Sequence, residues 1–240
     1  MTSAFHESRI TNHQLPPERT FPRAVLFDLD GTLLDSAPDF VVTCNAMLAE
    51  RGRMPVDPAQ LREVVSKGSR AMLGVAFPDV GATERDALIP EFLQRYEALI
   101  GQHARLFDGI AEMLEALEQA GGSWGVVTNK PEYLARQVLP KLGWDSRSAV
   151  LVGGDSLPER KPHPLPLLHA AQAVGVGIAD CAYVGDDERD IVAARAAGIH
   201  SVVALWGYRL PGDDPLAWGA DAQAATARDL LDEAAWRGAP

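Results

Sequence analysis

Val25-Leu26-Phe27-Asp28-Leu29-Asp30-Gly31-Thr32 places two carboxylates, a glycine and a hydroxyl directly after a short apolar run. The apolar run predicts a buried strand of a parallel α/β sheet, in which ligands bind beyond the carboxyl ends of the strands. Asp28 and Asp30 alternate with Leu29, so their side chains share one face of an extended segment, and the carbonyl of Asp30 can also turn inward. These oxygens suit a hard cation such as Mg²⁺, which keeps coordination positions for a phosphate.

The same stretch has two alternative interpretations. Asp-Gly is a common turn dipeptide, so a surface loop could carry both acids without any chemistry. A calcium loop of the EF-hand type would need glycine at its sixth position, where Leu33 stands. We set the calcium loop aside, whereas this stretch alone does not exclude the interpretation as a surface turn.

The composition is that of a globular chain with a substantial core. Of the 240 residues, 47% are hydrophobic and 23% are charged, which suits one large domain or a core domain with an insertion. The formal net charge of -11 argues against nucleic acid and anionic membranes as partners. Cys44 and Cys181 lie far apart without CxxC spacing, which indicates neither a disulfide framework nor a zinc site. We therefore expect a cytoplasmic protein, and no signal peptide or membrane span is visible.

Three kinds of segment differ in their pattern. Residues 1–20 are polar and show no periodicity, which predicts a disordered leader. Residues 36–104 repeat apolar positions at helical spacing and contain no strand run, which predicts an inserted α-helical cap. Residues 21–35 and 105–240 predict an α/β core domain with a Rossmann-like, doubly wound parallel sheet. Its last clear strand is predicted at residues 201–205.

Polar side chains follow the predicted strands of this core at equivalent positions. They are Asp28 and Asp30, Thr128 and Asn129, Lys161, and Asp186 and Asp190. Because parallel strands end at the same edge of a sheet, we expect the fold to bring these groups together. A nicotinamide cofactor is the alternative for such a fold, but no strand is followed by G-x-G-x-x-G, and a P-loop is absent as well.

The acids match the needs of phosphate monoester hydrolysis, which are an aligned nucleophile, charge neutralisation and a proton for the leaving alkoxide. Asp28 can attack phosphorus to form an aspartyl-phosphate. Asp30 can protonate the leaving oxygen and later deprotonate the attacking water. Asp28, the carbonyl of Asp30 and Asp186 can supply Mg²⁺ with protein oxygens.

The remaining polar groups are predicted to support that reaction. Thr128 and Lys161 can donate hydrogen bonds to phosphoryl oxygens. Asp190 is predicted not to bind the metal itself but to orient Lys161 or a metal-bound water. Asp187 is assigned to the same supporting position. Each has a structural alternative, since a Thr-Asn pair can cap a helix, a lone lysine can be solvated, and acids can complement a helix dipole. Together they favour catalysis.

These residues resemble the four motifs of the haloacid dehalogenase superfamily. The motifs are Asp28-Leu29-Asp30-Gly31-Thr32, Thr128, Lys161 and Gly185-Asp186-Asp187-x-x-Asp190. The resemblance covers nearly the whole chain beyond the leader, and it implies a Rossmann-like core, a helical cap inserted after the first motif, aspartyl-phosphate chemistry and Mg²⁺. Dehalogenases of the superfamily lack the second aspartate, so Asp30 implies a phosphatase or a phosphomutase. A non-catalytic phosphate-binding regulator is the third possibility, but it would be expected to lack the nucleophile or the acid.

Within the superfamily, the chain resembles the phosphatases of 2-phosphoglycolate and, more closely, those of N-acetylmuramic acid 6-phosphate in peptidoglycan recycling. The closer likeness rests on residues 66–72, 124–131 and 213–221. Gly68, Arg70 and Asn129 are the expected substrate-binding residues, with Arg70 facing a substrate carboxylate, although residues 66–70 could also be a solvated basic turn. The expected partner is a phosphorylated small molecule, and the expected state is a monomer or homodimer.

Overall fold

Six parallel strands form the central sheet of a computed structural model that describes residues 21–236. Their spatial order is β5-β4-β1-β6-β7-β8. The strands are β1 (Ala24–Phe27), β4 (Ser123–Val127), β5 (Leu151–Val152), β6 (Cys181–Gly185), β7 (His200–Ala204) and β8 (Ala222–Ala224). The predicted leader, residues 1–20, lies outside the described residues.

Strand β1 is continuously apolar because helices cover both faces of the sheet. Val25 and Phe27 pack in one core cluster with α6 (Ile110–Gln119) and α7 (Glu132–Lys141). Ala24 and Leu26 pack in a second cluster with α8 (Leu165–Val174) and α9 (Glu188–Ala197). All four β1 residues are fully buried. This arrangement confirms the predicted α/β fold with a doubly wound parallel sheet.

A helical segment is inserted after β1. The chain leaves the core through β2 (Leu34–Asp35) and returns through β3 (Arg105–Leu106), and these two strands pair antiparallel. Between them lie α1 (Ala37–Glu50), α2 (Pro58–Glu63), α3 (Ser69–Ala76), α4 (Ala82–Ala87) and α5 (Ile89–Leu99). The carboxylate of Asp39 accepts hydrogen bonds from the N–H groups of Gly101, His103 and Ala104, which ties the start of the insertion to its end. The division at residues 36 and 104 stays a prediction.

Aromatic rings join α1 to α5 inside this cap. Phe40 stacks on Tyr96 with ring centroids 4.3 Å apart, and its centroid lies 6.0 Å from that of Phe92. All three side chains are buried. Rings this large contribute much of the apolar area that holds two helices together. Among residues 21–236, none of the helices is both long and apolar enough to cross a lipid bilayer.

Candidate active site

Strands β4, β1 and β6 end at nearly the same level of the sheet, and a polar residue directly follows each of them. Phe27 at the end of β1 lies in register with Val126 on one side and Val184 on the other. Asp28 is therefore one residue beyond this level of the sheet, and Thr128 and Asp186 are each two residues beyond it. The N–H of Asp28 donates to the carbonyl of Val184 over 2.9 Å, so the main chain stays within the sheet up to this acid.

Lys161 lies at the centre of this edge, fully buried. Its Nζ donates to Asp190 Oδ1 over 2.7 Å and to Asp28 Oδ1 over 3.0 Å, and it also contacts the hydroxyl of Tyr183 at 2.6 Å. Burial lowers the pKa of Lys161, but Asp190 and Asp28 outweigh it and raise the pKa. Burial raises the pKa of Asp190 to about 6, although the positive charge of Lys161 lowers it. We assign the pair as ionised because two carboxylates surround one ammonium.

Asp186 is completely buried, and only neutral groups donate to it. Its oxygens accept hydrogen bonds from Thr32 Oγ1 (3.0 Å), Ser66 Oγ (2.9 Å) and the N–H of Tyr208 (2.9 Å). No lysine or arginine of the described chain forms an ion pair with it. Burial, Asp28 and Asp190 raise its pKa well above the usual range. A buried carboxylate without a nearby positive charge costs free energy unless a cation binds to it.

The donor set fits a divalent cation. Single carboxylate oxygens of Asp28, Asp186 and Asp190 lie within 4.8 Å of one another, and all three residues are buried. Asp190 already uses Oδ1 for Lys161 and Oδ2 for the N–H of Asp187. Asp190 lies 2.7 Å from the ammonium of Lys161, whereas Asp186 accepts hydrogen bonds from neutral groups only. Asp186, with Asp28 beside it, is therefore the carboxylate best placed to hold a cation such as Mg²⁺.

Glycine keeps the main chain close to Asp186. Gly31 has φ +93°, which favours glycine, and a Cβ there would lie 2.2 Å from Asp186 Oδ2. The Asp-Gly pair thus does form a turn, but the turn packs against an acid of another strand end rather than standing free at the surface.

Asp30 is held by Lys130, a residue outside the predicted site. Lys130 Nζ donates to both oxygens of the Asp30 carboxylate, over 3.2 and 3.0 Å, and to the hydroxyl of Tyr96 over 2.6 Å. Burial lowers the pKa of Lys130, but Asp30 and Tyr96 outweigh it and raise the pKa, so the ammonium stays charged. A signal was available, because Lys130 directly follows the strand-end pair Thr128-Asn129.

Thr128 and Asn129 line the cavity together with Lys161. The hydroxyl of Thr128 is buried and accepts the N–H of Lys130 over 3.2 Å, which leaves its proton free to donate. Asn129 Nδ2 donates to the carbonyl of Lys161 over 2.9 Å. Asn129 Oδ1 is buried without a hydrogen-bond partner among the described residues, so a ligand donor would satisfy it.

A cap segment touches the core acids. Besides the bond from Ser66 to Asp186, Lys67 Nζ pairs with Asp187 Oδ2 over 2.9 Å, and Arg189 donates to the carbonyl of Ser66. Asp187 also caps α9 and pairs with Arg189 over 2.8 Å. Burial raises the pKa of Asp187, but Arg189 and Lys67 outweigh it and lower the pKa to about 2. The cap is therefore closed on the strand edge in this structure.

Arg70 lines the cavity, but its guanidinium is engaged elsewhere. Nε and Nη2 donate to the two oxygens of Asp86 over 2.7 and 2.9 Å, and the side chain is 75% exposed. Gly68, with φ +88°, borders the same cavity. Arg160 also lines it and forms no ion pair with any residue between 21 and 236. The predicted contact between Arg70 and a substrate stays a prediction, and Arg160 is a competing cation.

The cavity between cap and core has a volume of about 520 Å³, which is within the range of small-molecule sites. Polar groups of the strand edge form its floor. Its cap walls are mainly apolar or aromatic and include Phe40, Met72, Ile89, Phe92 and Tyr96. The structure thus brings together the predicted catalytic residues Asp28, Asp30, Thr128 and Lys161 at the base of one cavity.

Comparison with known proteins agrees with this geometry. Residues 25–204 match the family model of haloacid dehalogenase-like hydrolases. A phosphoglycolate phosphatase of Xanthomonas campestris pv. campestris (strain 8004) is 67% identical over 216 residues, which are 90% of this chain and 98% of the relative. An N-acetylmuramic acid 6-phosphate phosphatase of Pseudomonas putida is 47% identical over 200 residues, which are 83% of this chain and 90% of the relative. Of these two, the relative named for phosphoglycolate shares more identity, which is the reverse of the order expected above.

A solved structure shares the same architecture. The crystal structure of a predicted phosphoglycolate phosphatase from Haemophilus somnus superposes with a TM-score of 0.78 at 28% sequence identity. The match covers 89% of this chain and 98% of that chain. The family model, the identity to named phosphatases and this likeness lead to one conclusion. The chain belongs to the haloacid dehalogenase-like hydrolase family, as one of its phosphatases.

Proposed function

We propose that this phosphatase hydrolyses phosphomonoesters through an aspartyl-phosphate on Asp28. The observation that carries the proposal is the burial of Asp28 between Lys161 and Asp186 at the edge of the sheet. Leu29 N–H (2.8 Å) and Lys161 hold Oδ1, which leaves Oδ2 for the reacting phosphorus. In the first step an Asp28 oxygen bonds to phosphorus while the ester P–O bond breaks. Water then attacks phosphorus, which releases inorganic phosphate and restores the carboxylate.

Asp30 is the proposed proton carrier of both steps. It gives a proton to the leaving alkoxide and takes one from the attacking water. Its carboxylate borders the cavity near the phosphate-binding groups. Lys161 and Thr128 are the proposed donors to phosphoryl oxygens, and Asp190 holds Lys161 in place.

A divalent cation is the proposed cofactor. Asp28, Asp186 and the main-chain carbonyl of Asp30 are the groups that would hold Mg²⁺. When bound, the cation neutralises negative charge between the carboxylate nucleophile and the phosphate. The buried, uncompensated carboxylate of Asp186 supports this proposal most directly.

Metal removal gives a first prediction. We expect treatment with a chelator to lower phosphate release at least about a hundredfold, because two repelling anions must otherwise meet without charge neutralisation. Added Mg²⁺ should restore activity, whereas Ca²⁺ should inhibit, because its larger and looser coordination misplaces the phosphate. Phosphate release is measured after removal of the chelator, with each ion added separately. Full activity in the presence of chelator would contradict the metal assignment.

The proposed substrate is a small carboxylated phosphate. The names of the relatives point to 2-phosphoglycolate and to N-acetylmuramic acid 6-phosphate. The higher identity supports the first, whereas a cavity of about 520 Å³ with aromatic walls has room for a sugar ring and supports the second. Phosphate release from a panel of phosphorylated metabolites that includes both tests the proposal. A phosphomutase would instead retain the phosphoryl group and release none.

Recognition of the carboxylate gives a second prediction. We expect Arg70→Ala to lower kcat/KM for carboxylated substrates by about tenfold to a hundredfold, because a guanidinium can hold a carboxylate with two charge-assisted hydrogen bonds. Phenyl phosphate, which lacks the carboxylate, should be spared. The measurement is kcat/KM for both substrates in wild type and variant, with Arg105→Ala as the control, since Arg105 is exposed and outside the cavity.

The alternative cation is tested in the same assay. If Arg160→Ala produces the selective loss and Arg70→Ala does not, the carboxylate lies on the core side, and the assignment of Arg70 is wrong. Equal losses on both substrates would remove either residue from a role in specificity. The cytoplasmic compartment, the monomeric or homodimeric state and a place in peptidoglycan recycling stay predictions.

A further inference from the structure

Lys130 connects Asp30 of the core with aromatic residues of the cap. Its ammonium group contacts the Asp30 carboxylate on one side and the Tyr96 hydroxyl on the other. It also lies over two cap rings, 4.4 Å from the centroid of Tyr96 and 5.1 Å from that of Phe40. We propose that Lys130 is a positioning residue that orients the Asp30 carboxylate when Tyr96 and Phe40 of the closed cap surround it. The proposal rests on the proposed role of Asp30 as proton carrier.

The orientation of Asp30 depends on this one contact. Within residues 21–236, no other side chain and no N–H group donates to the Asp30 carboxylate. Without Lys130, no hydrogen bond from the described residues fixes the orientation of this carboxylate. Proton transfer to a leaving oxygen requires heavy atoms at hydrogen-bond distance, so a rotated carboxylate transfers protons poorly.

The position of Lys130 depends in turn on the cap. Only 4% of its side chain is exposed, so the ammonium has lost its water and needs other partners. Asp30 supplies the opposite charge, whereas the hydroxyl and both ring faces come from α1 and α5 of the cap. If the cap moves away, these partners leave with it, and water takes their place. The orientation of the Asp30 carboxylate therefore depends, through Lys130, on closure of the cap.

A purely structural role for the Lys130 side chain is disfavoured by its main chain. The N–H of Lys130 donates to Thr128 Oγ1, and its carbonyl accepts the N–H of Gly154 over 2.8 Å. The loop is thus anchored without the ammonium group. Removing the charge should change the orientation of Asp30 more than the path of the chain.

The first test compares two leaving groups. An alkyl phosphate needs a proton on its leaving oxygen, whereas 4-nitrophenyl phosphate has a stable leaving group and needs little help. We expect Lys130→Met to lower kcat/KM for the alkyl phosphate by about tenfold to a hundredfold, and that for the aryl phosphate by less than about threefold. Lys141→Met is the matched control, because Lys141 also bridges core and cap, through the carbonyl of Ile100, without touching Asp30. It should leave the ratio of the two kcat/KM values unchanged.

Two further variants separate positioning from general damage. In an Asp30→Asn background, Lys130→Met should cause no further selective loss, because both changes act through one carboxylate. Tyr96→Phe removes only the hydroxyl and keeps the ring and the ion pair. It should therefore also lower kcat/KM more for the alkyl phosphate than for the aryl phosphate, but by a smaller factor. If Lys130→Met does not fold, as judged by its thermal unfolding, Tyr96→Phe decides.

Several outcomes would overturn the inference. They are an equal loss on both leaving groups in Lys130→Met, a multiplicative loss in the double variant, or an unchanged ratio in Tyr96→Phe. A wild-type enzyme that releases no phosphate from any substrate would instead overturn the proposed function. The two failures are therefore distinguishable.

Discussion

Asp28→Asn should abolish phosphate release, with a loss of at least about four orders of magnitude in kcat. An amide is a poor nucleophile and a weaker ligand for a cation, so the substitution removes both functions proposed for this side chain. The fold should persist, because Lys161 keeps its 2.7 Å contact with Asp190 and the cluster of buried acids loses one negative charge. Steady-state phosphate release and thermal unfolding measure the two parts of this prediction.

A matched control is Asp145→Asn, which makes the same chemical change at an exposed position outside the cavity. It should retain wild-type turnover. If Asp28→Asn keeps turnover within about tenfold of wild type, Asp28 is not the nucleophile.

The second large effect is expected for Asp30→Asn. The amide cannot carry the proton, so kcat/KM for an alkyl phosphate should fall by about a hundredfold to ten thousandfold. For 4-nitrophenyl phosphate the first step should be nearly spared, because the nitrophenolate leaves without a proton. The second step should still be slow, because no base activates the water. The phosphorylated enzyme should therefore accumulate with this substrate.

Leaving-group dependence checks this assignment. A series of aryl phosphates with increasingly poor leaving groups should show a steeper fall of kcat/KM in Asp30→Asn than in wild type. If kcat/KM falls equally steeply with leaving-group quality in both enzymes, Asp30 does not protonate the leaving oxygen. Lys130→Met should give an intermediate slope.

The sequence predicted the strand edge well because its signals are local. Apolar runs followed by acids, a Thr-Asn pair or a lysine identify strand ends, and parallel strands of this fold place those ends together. Asp28, Thr128 and Asp186 meet for that reason. The short strand β8 was not predicted, since the last strand was expected at residues 201–205 and Ala222–Ala224 is too short to show a pattern. Helix α7 and the pair β2 and β3 were also not predicted.

The cap contacts could not be predicted in the same way. They depend on how the inserted helices dock on the core, and no local pattern encodes the distance from Tyr96 to Lys130 or from Ser66 to Asp186. Arg70 illustrates the limit. Its charge and neighbouring glycine suggested a substrate contact, but the acid that engages it, Asp86, lies 16 residues further along the chain. Pairing between side chains of different helices is a tertiary property.

Phosphorylation of Asp28 itself tests the central claim most directly. Asp30→Asn is mixed with 4-nitrophenyl phosphate, quenched in acid within the first turnover and digested, and the peptides are weighed by mass spectrometry. We expect a burst of about one equivalent of nitrophenol per enzyme and a phosphoryl group on the peptide at Asp28. A burst without phosphorylation, or a phosphoryl group on any other residue, would contradict it.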